Sequence, residues 1–414
     1  MSYESYEALL SIAFDFRKEK LWTKLTEMEL FAVQLSSGEI GYCLVTGENG
    51  EHFALSVYVG EEGLNSLRSL YDSFTLDNML LRHEAASMQS CLQCSFEFLY
   101  QLNPDEQRRL KQYTKKHNIT LRGSNSCPMF RTYTPAHILW SLEEKDHQPL
   151  YEALFAATEL SKQLATKSKA ALGFQNLPPR QQNIPFIQSL EGNFTFGKVA
   201  LPSRRIVDFP RPDFKNDVMI AKLRKMSRTD QVWLCDIVMQ LDPMSDEETD
   251  ADGFVLNPTS APFFPYLLLV MDHEDESILY SELAHDMEEA ATLFLSSIAE
   301  IMFELGLPKE IVVQNRRAEN FLYHFAAKLG IKITRVEQIP LMNEVLLNLQ
   351  ESLRLEENPT EESDEYFYEK LSSLDDETFL SLPRGLKHDL LVLADEGQLP
   401  VLLEERILRL FHRK

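Results

Sequence analysis

Cys91 and Cys94, in the stretch "CLQC", have the spacing of half a zinc site or of a redox pair. A tetrahedral site needs two further ligands, and Cys43, Cys127, His52 and His83 form no regular second pair. The alternation in "MQSCLQCSF" instead suggests a strand with Met88, Ser90, Leu92, Cys94 and Phe96 on one face and Cys91 on the other, which is poor geometry for chelation. The acidic runs "DEETDADG" and "MDHEDE" invite Ca²⁺, yet neither has the central Gly and terminal Glu of an EF-hand loop, and solvated loops explain them. "RRLKQYTKK" is the densest basic stretch; on a helix with Leu110 and Tyr113 inward it reads as a solvated face. The ten histidines are scattered, and the chain has no Gly-rich phosphate loop, no G-x-S-x-G and no H-E-x-x-H. One polar turn stands out, Gln314–Asn315 in "IVVQNRRAENF", where Asn315 can cap the helix that follows.

The elements that would position these residues fall into three regions. The first opens with an amphipathic helix, "YEALLSIAFDFRKEKLWTKL", followed by strand-like runs "LFAVQL", "IGYCLVTG" and "HFALSVYVG" separated by the hairpin turns "SSGE" and "ENGE". A second helix near "LNSLRSLYDSF", a strand at "SMQSCLQCSFEFL", a helix capped by Asn103 with Pro104 in its first turn, a strand "ITLRG" and a closing helix from "LYEALF" complete an α+β domain, a helix packed on an antiparallel meander, over residues 1–172. "GFQNLPPRQQNIP", with paired prolines, reads as a linker. The second region, residues 184–350, has strands at "FIQSLEGNFTFGKVAL", "RTDQVWLCDIVMQL", "FFPYLLLVMD" and "SILYSELA". A helix with a capping-box-like start (Asp286, Glu289) and a Gly306–Pro308 stop follows. "EIVVQ", the helix "RRAENFLYHFAAKL" ending at Gly330, and "IKITRVE" then predict a βαβ unit with parallel strands. The third region, residues 351–414, is an acidic linker leading to leucine-rich helical stretches, which are suited either to a partner's groove or to packing on the protein's own core.

Composition bounds what these elements can do. At 414 residues, 44% hydrophobic and 25% charged, the chain is an ordinary globular sequence of two or three units. A formal charge of −23 opposes polyanions, so nucleic acid is an unlikely partner without a local basic patch. The opening "MSYESYEALL" has no basic segment before an apolar run, and no stretch approaches the ~20 apolar residues of a membrane span. With five cysteines, an odd number that fits reduced thiols, this sets the expectation of a cytoplasmic protein.

The order of elements in the second region, three strands, helix, strand, helix, strand and then "PLMNEVLLNLQESL", is similar to the ribonuclease H-like superfamily, particularly integrases and transposases of the retroviral type. The resemblance implies two or three carboxylates holding Mg²⁺ or Mn²⁺ for phosphodiester cleavage, with Asp236 in the first-strand position and Glu344 in the final-helix position. The second acidic position falls at Gln314 or Asn315, and a neutral amide contributes no charge against the desolvation of a cation. The expectation is therefore a degenerate, non-catalytic domain in an interaction or regulatory protein with no cofactor. The competing expectation is a metal-dependent nuclease or phosphoryl-transfer enzyme with a rearranged site of Asp236, Asp272 and Glu344.

"LYQLNPDEQRRL", "CLQCSFE", "GEIGYCLVTG" and "HFALSVYVGEEGL" resemble a bacterial family known only as domains of unknown function. "PKEIVVQNRRAENFLYHFAAKLGIKITRVEQIP" is similar to the second domain that accompanies it. The similarity implies an architecture for residues 1 to 350 and no catalytic residues.

Overall fold

The computed structural model describes residues 6–76, 78–121, 125–174, 183–190, 193–204, 209–245, 260–357, 390–391, 394, 399 and 401–411. The chain divides into two compact units, Met1–Met342 and Asn343–Lys414. The first unit contains two sheets, each covered by helices.

In the first sheet β1 (Phe31–Gln34), β2 (Ile40–Thr46), β3 (Ala54–Val59), β4 (Cys91–Glu97), β5 (Cys127–Tyr133) and β6 (Trp140–Ser141) form the antiparallel meander. Helices α1 (Tyr6–Glu19), α4 (Pro104–Lys116) and α5 (His147–Leu164) supply the core that meets Phe31, Val33, Cys43, Val57, Cys94 and Phe96. On the opposite face Ala32, Tyr42, Leu44, Tyr58 and Cys91 meet Leu64 and Leu67 of α2 (Gly60–Ser73). Both faces are buried, which is why these strands read as continuous apolar runs. Asn103 caps α4 as expected, accepting from Glu106 N (2.9 Å). Glu106 returns the bond to Asn103 N (3.0 Å) and also holds the buried Arg131 guanidinium with both carboxylate oxygens.

Three expectations need correction. The strands expected to begin the second domain at residue 184, β7 (Asn183–Leu190) and β8 (Asn193–Ala200), extend the first sheet instead, in the order β6-β5-β4-β3-β2-β1-β7-β8. β7 lies parallel to β1, with Ala32 opposite Phe186 and Val33 opposite Ile187. It closes an edge that the meander would leave with unpaired N–H and C=O groups, and its Ile184 and Ile187 enter the two opposite cores. Next, Ile119–Leu121 form no strand; that place is taken by β5, "CPMFRTY". Pro128 is tolerated there because β6 pairs only with Arg131 and Thr132, so β5 is an edge at the proline. Finally, an unexpected helix, α3 (Met79–Ser87), begins at the Asn78 cap. The linker expected at "GFQNLPPRQQNIP" lies largely outside the described residues, at 175–182, as do most of the acidic loop, 246–259, and the acidic linker, 358–389.

The second sheet, β9 (Val232–Met239), β10 (Tyr266–Asp272), β11 (Ile278–Ala284), β12 (Glu310–Val313) and β13 (Lys332–Arg335), runs β11-β10-β9-β12-β13. β9, β10 and β11 are antiparallel, and β12 and β13 lie parallel to β9. α6 (Asp217–Leu223), α7 (Met287–Leu305) and α8 (Arg316–Leu329) pack on the face that carries Trp233, Cys235, Ile237 and Met239. The α7 and α8 boundaries are those the sequence marks: Asp286 caps two backbone N–H groups, Gly306 ends α7 at φ 95°, and Gly330 ends α8 at φ 65°.

The two sheets are tied within the one unit rather than strung on a linker. Phe264 N donates to Ala136 O (2.7 Å) and Ile138 N to Pro262 O (2.9 Å), while Met88, Ala136 and Ile138 pack on the second core. α9 (Pro340–Glu357) crosses the boundary between the units. In the second unit Leu390, Ala394, Leu399, Leu403 and Ile407 are buried in one apolar cluster. Among the described residues no helix is long and apolar enough to cross a membrane.

Candidate functional site

Asp236 sits in the middle of β9, the central strand of the second sheet, and is 0% exposed. Alternation sends Trp233, Cys235 and Ile237 into the helix-covered core and puts Asp236 on the other face. Beside it the parallel strand β12 ends at Val313, so the chain leaves the sheet at Gln314 and Asn315, level with Asp236. Asn315 then serves two elements. Its Oδ1 accepts from Ala318 N (2.7 Å) and caps α8; its Nδ2 donates to Asp236 Oδ1 and to Ile237 O (3.1 Å). Ile237 N also donates to Asp236 Oδ1 (2.9 Å), and Gln314 Oε1 accepts from Ile339 N (3.0 Å).

Burial raises the Asp236 pKa to about 7, against the smaller opposing pull of the Gln314 amide and the Ile237 N–H. Folded Asp236 holds its proton to higher pH than the unfolded chain does, so its contribution to stability is fully present below about pH 4 and is lost as pH rises through about 7. Asp236→Asn removes that loss and keeps an oxygen for the Asn315 amide. Urea unfolding at pH 5 and pH 8 should therefore show the variant gaining on the wild type as pH rises, with a limiting slope of roughly 1.4 kcal/mol per pH unit. Parallel pH profiles for the two proteins would sink the raised pKa.

Arg317, the second residue of α8, is buried and was not singled out from the sequence. Its guanidinium pairs with Glu84 of α3, donating through Nη1 at 3.1 Å, and lies over Phe209 (5.0 Å) and Tyr266 (4.9 Å). Burial lowers its pKa to about 10, which leaves it charged at neutral pH. The signal was present in "NRRAENF": two arginines at a helix N-terminus oppose the macrodipole, so something anionic must meet at least one of them.

The other candidates are placed elsewhere. Asp272 pairs with Trp233 across the β9–β10 ladder, on the face opposite Asp236 and three pairs along, roughly 10 Å away by strand geometry. Its Oδ1 accepts from Glu274 N (2.8 Å) and Asp275 N (3.3 Å), which makes it the cap of the β10–β11 turn. The expected grouping of Asp272 with Asp236 is thus corrected by the register. Glu344 is exposed on α9 and belongs to the second unit. Cys91 and Cys94 face opposite cores, as alternation predicts; burial pushes Cys91 up to about 12 and Cys94 well above the ordinary thiol range. All five cysteines are buried free thiols. Among the described residues no group of three His, Cys, Asp or Glu is arranged to hold a metal.

A family model described as a domain of unknown function, DUF7309, matches residues 6–177, and a second, DUF6930, also a domain of unknown function, matches residues 219–350. The stretch between them holds β7 and β8. No curated protein matches the chain. Among solved structures, a chain of the simian T-cell lymphotropic virus intasome in complex with PP2A regulatory subunit B56 gamma is 18% identical over 35% of this chain, with a TM-score of 0.22. The match covers 48% of that chain, about half its length. The HTLV-2 integrase catalytic core domain in complex with magnesium is 14% identical over 35% of this chain and 88% of its own, with a TM-score of 0.21. These are weak likenesses.

Proposed function

We propose that this is an interaction or regulatory protein whose second half is a ribonuclease H-like domain that does not cut. The element order behind that resemblance is present: three antiparallel strands, then α7, β12, α8, β13 and α9. The single observation that carries the non-catalytic reading is the bond from the Asn315 amide to Asp236. A divalent cation would need oxygen lone pairs converging from both residues. Here Asn315 presents N–H to the carboxylate and spends its oxygen on the α8 cap, and the carboxylate itself is held partly protonated near pH 7. The donor set therefore does not fit Mg²⁺ or Mn²⁺. Metal-activated phosphoryl transfer through Asp236, Asp272 and Glu344 is disfavoured further because Asp272 lies on the other face of the sheet.

Calorimetric titration of Mn²⁺ at pH 7.5 tests this. The expected result is no saturable heat that depends on Asp236. A one-to-one isotherm that disappears in Asp236→Asn would overturn the proposal. Among the described residues of 351–414, Leu390, Leu399 and Leu403 are buried with Ile407, so these leucines lend no support to a partner docking there.

A further inference from the structure

A cavity of about 650 Å³ opens in the first sheet's half of the chain, walled by the end of α1, the turn after β2 and the loop after α4. Among the described residues three cations line it, Arg17, Lys18 and Lys20, with one acid, Glu48. In a chain of net charge −23, that local balance is opposite in sign to the whole. Arg17 is anchored through Nε to the carbonyl of Asn125 (2.9 Å), with its guanidinium over the Phe96 ring (5.9 Å). Lys18 makes only an exposed pair with Asp15, of the kind worth little. The apolar wall is aromatic: Trp22 and Phe53 are stacked with ring centroids 4.7 Å apart, and Phe14 stands beside them.

Positive φ angles cluster in the segments around the cavity, at a helix end and in turns. Among the described residues six that are not glycine have positive φ, and four of them, Lys20, His52, Asn118 and Asn125, lie in the three walling segments. Asparagine adopts that conformation readily; lysine does not, and a left-handed lysine costs about 1 kcal/mol that glycine would not. Lys20 follows the last turn of α1, where glycine is the usual terminator. Lys20 thus places a cation, at that backbone cost, in the lining of a basic, aromatic-walled cavity. Gly47 on the opposite wall, at φ 118°, could carry no side chain, since a Cβ there would stand 2.5 Å from the Phe53 ring.

We propose that this cavity binds a nucleoside phosphate, its base against the Trp22–Phe53 wall and its phosphates at Lys18, Lys20 and Arg17. The volume is within the range of small-molecule sites, and a ligand with both a planar ring and several negative charges uses both halves of the lining. The inference is independent of the second sheet and of whether that domain binds a metal.

Calorimetry on the full chain with ATP, adenosine and tripolyphosphate tests it, together with Lys20→Gly. ATP should saturate a single site, with adenosine and tripolyphosphate each at least about tenfold weaker. Lys20→Gly should weaken ATP about tenfold or more, the size expected for a lost charged hydrogen bond, while raising the melting temperature by relieving the backbone. The paired result separates ligand binding from misfolding. Absence of saturable ATP binding at millimolar concentration, ATP binding unchanged in Lys20→Gly, or tripolyphosphate binding as tightly as ATP would each overturn the proposal.

Discussion

Asn315→Asp should destabilise the protein strongly at pH 8 and only weakly at pH 5. The substitution keeps the α8 cap, because an aspartate accepts from Ala318 N as well as an asparagine does. What changes is the other end of the side chain. The wild-type amide donates to a carboxylate that is fully buried; the variant sets a second carboxylate against it. A buried carboxylate and a half-buried one in contact share one proton, so the pair resists losing its last proton as pH rises. Below about pH 5 the shared proton replaces the lost donor and the cost is small. At pH 8 the loss should be about 2–4 kcal/mol, measured by urea unfolding. The same variant should bind Mn²⁺ through its paired carboxylates, visible as a rise in melting temperature with Mn²⁺ that the wild type lacks. Equal stability of variant and wild type at pH 8 would mean that the amide donor does not stabilise the buried carboxylate.

The second large effect is expected at Arg317. Arg317→Met should cost about 3–5 kcal/mol, since it leaves Glu84 charged and poorly solvated at the junction of the two halves. The methionine keeps apolar contact with Phe209 and Tyr266, so lost packing is a minor part of that cost. Adding Glu84→Gln should recover part of the loss, making the double variant more stable than Arg317→Met alone. If the double variant is instead less stable by the sum of the two single losses, the pair does not couple α3 to α8.

These two residues show where sequence patterns stop. The roles of Asn315 and Asn103 as caps, of Asp286 at the start of α7, and of Gly306 and Gly330 as stops were legible because each joins a side chain or a backbone conformation to groups within four residues. The opposite faces of Cys91 and Cys94 were legible because strand alternation is a local rule. The parallel pairing of β12 with β13 followed from the length of the helix between them.

Tertiary structure decided the rest. β7 and β8 have no local mark that assigns them to one sheet or the other; the open edge of β1 and two apolar cores claim them. Asp272 ends a strand as expected, but only the β9–β10 register puts it on the face away from Asp236. The bond from Asn315 to Asp236 spans 79 residues, and the pair of Arg317 with Glu84 spans 233. The sequence by itself determined the caps, most of the strands and the neutral amide at the turn. Which groups meet across the chain was set by strand pairing and burial, because those depend on remote edges and faces that no short stretch of sequence contains.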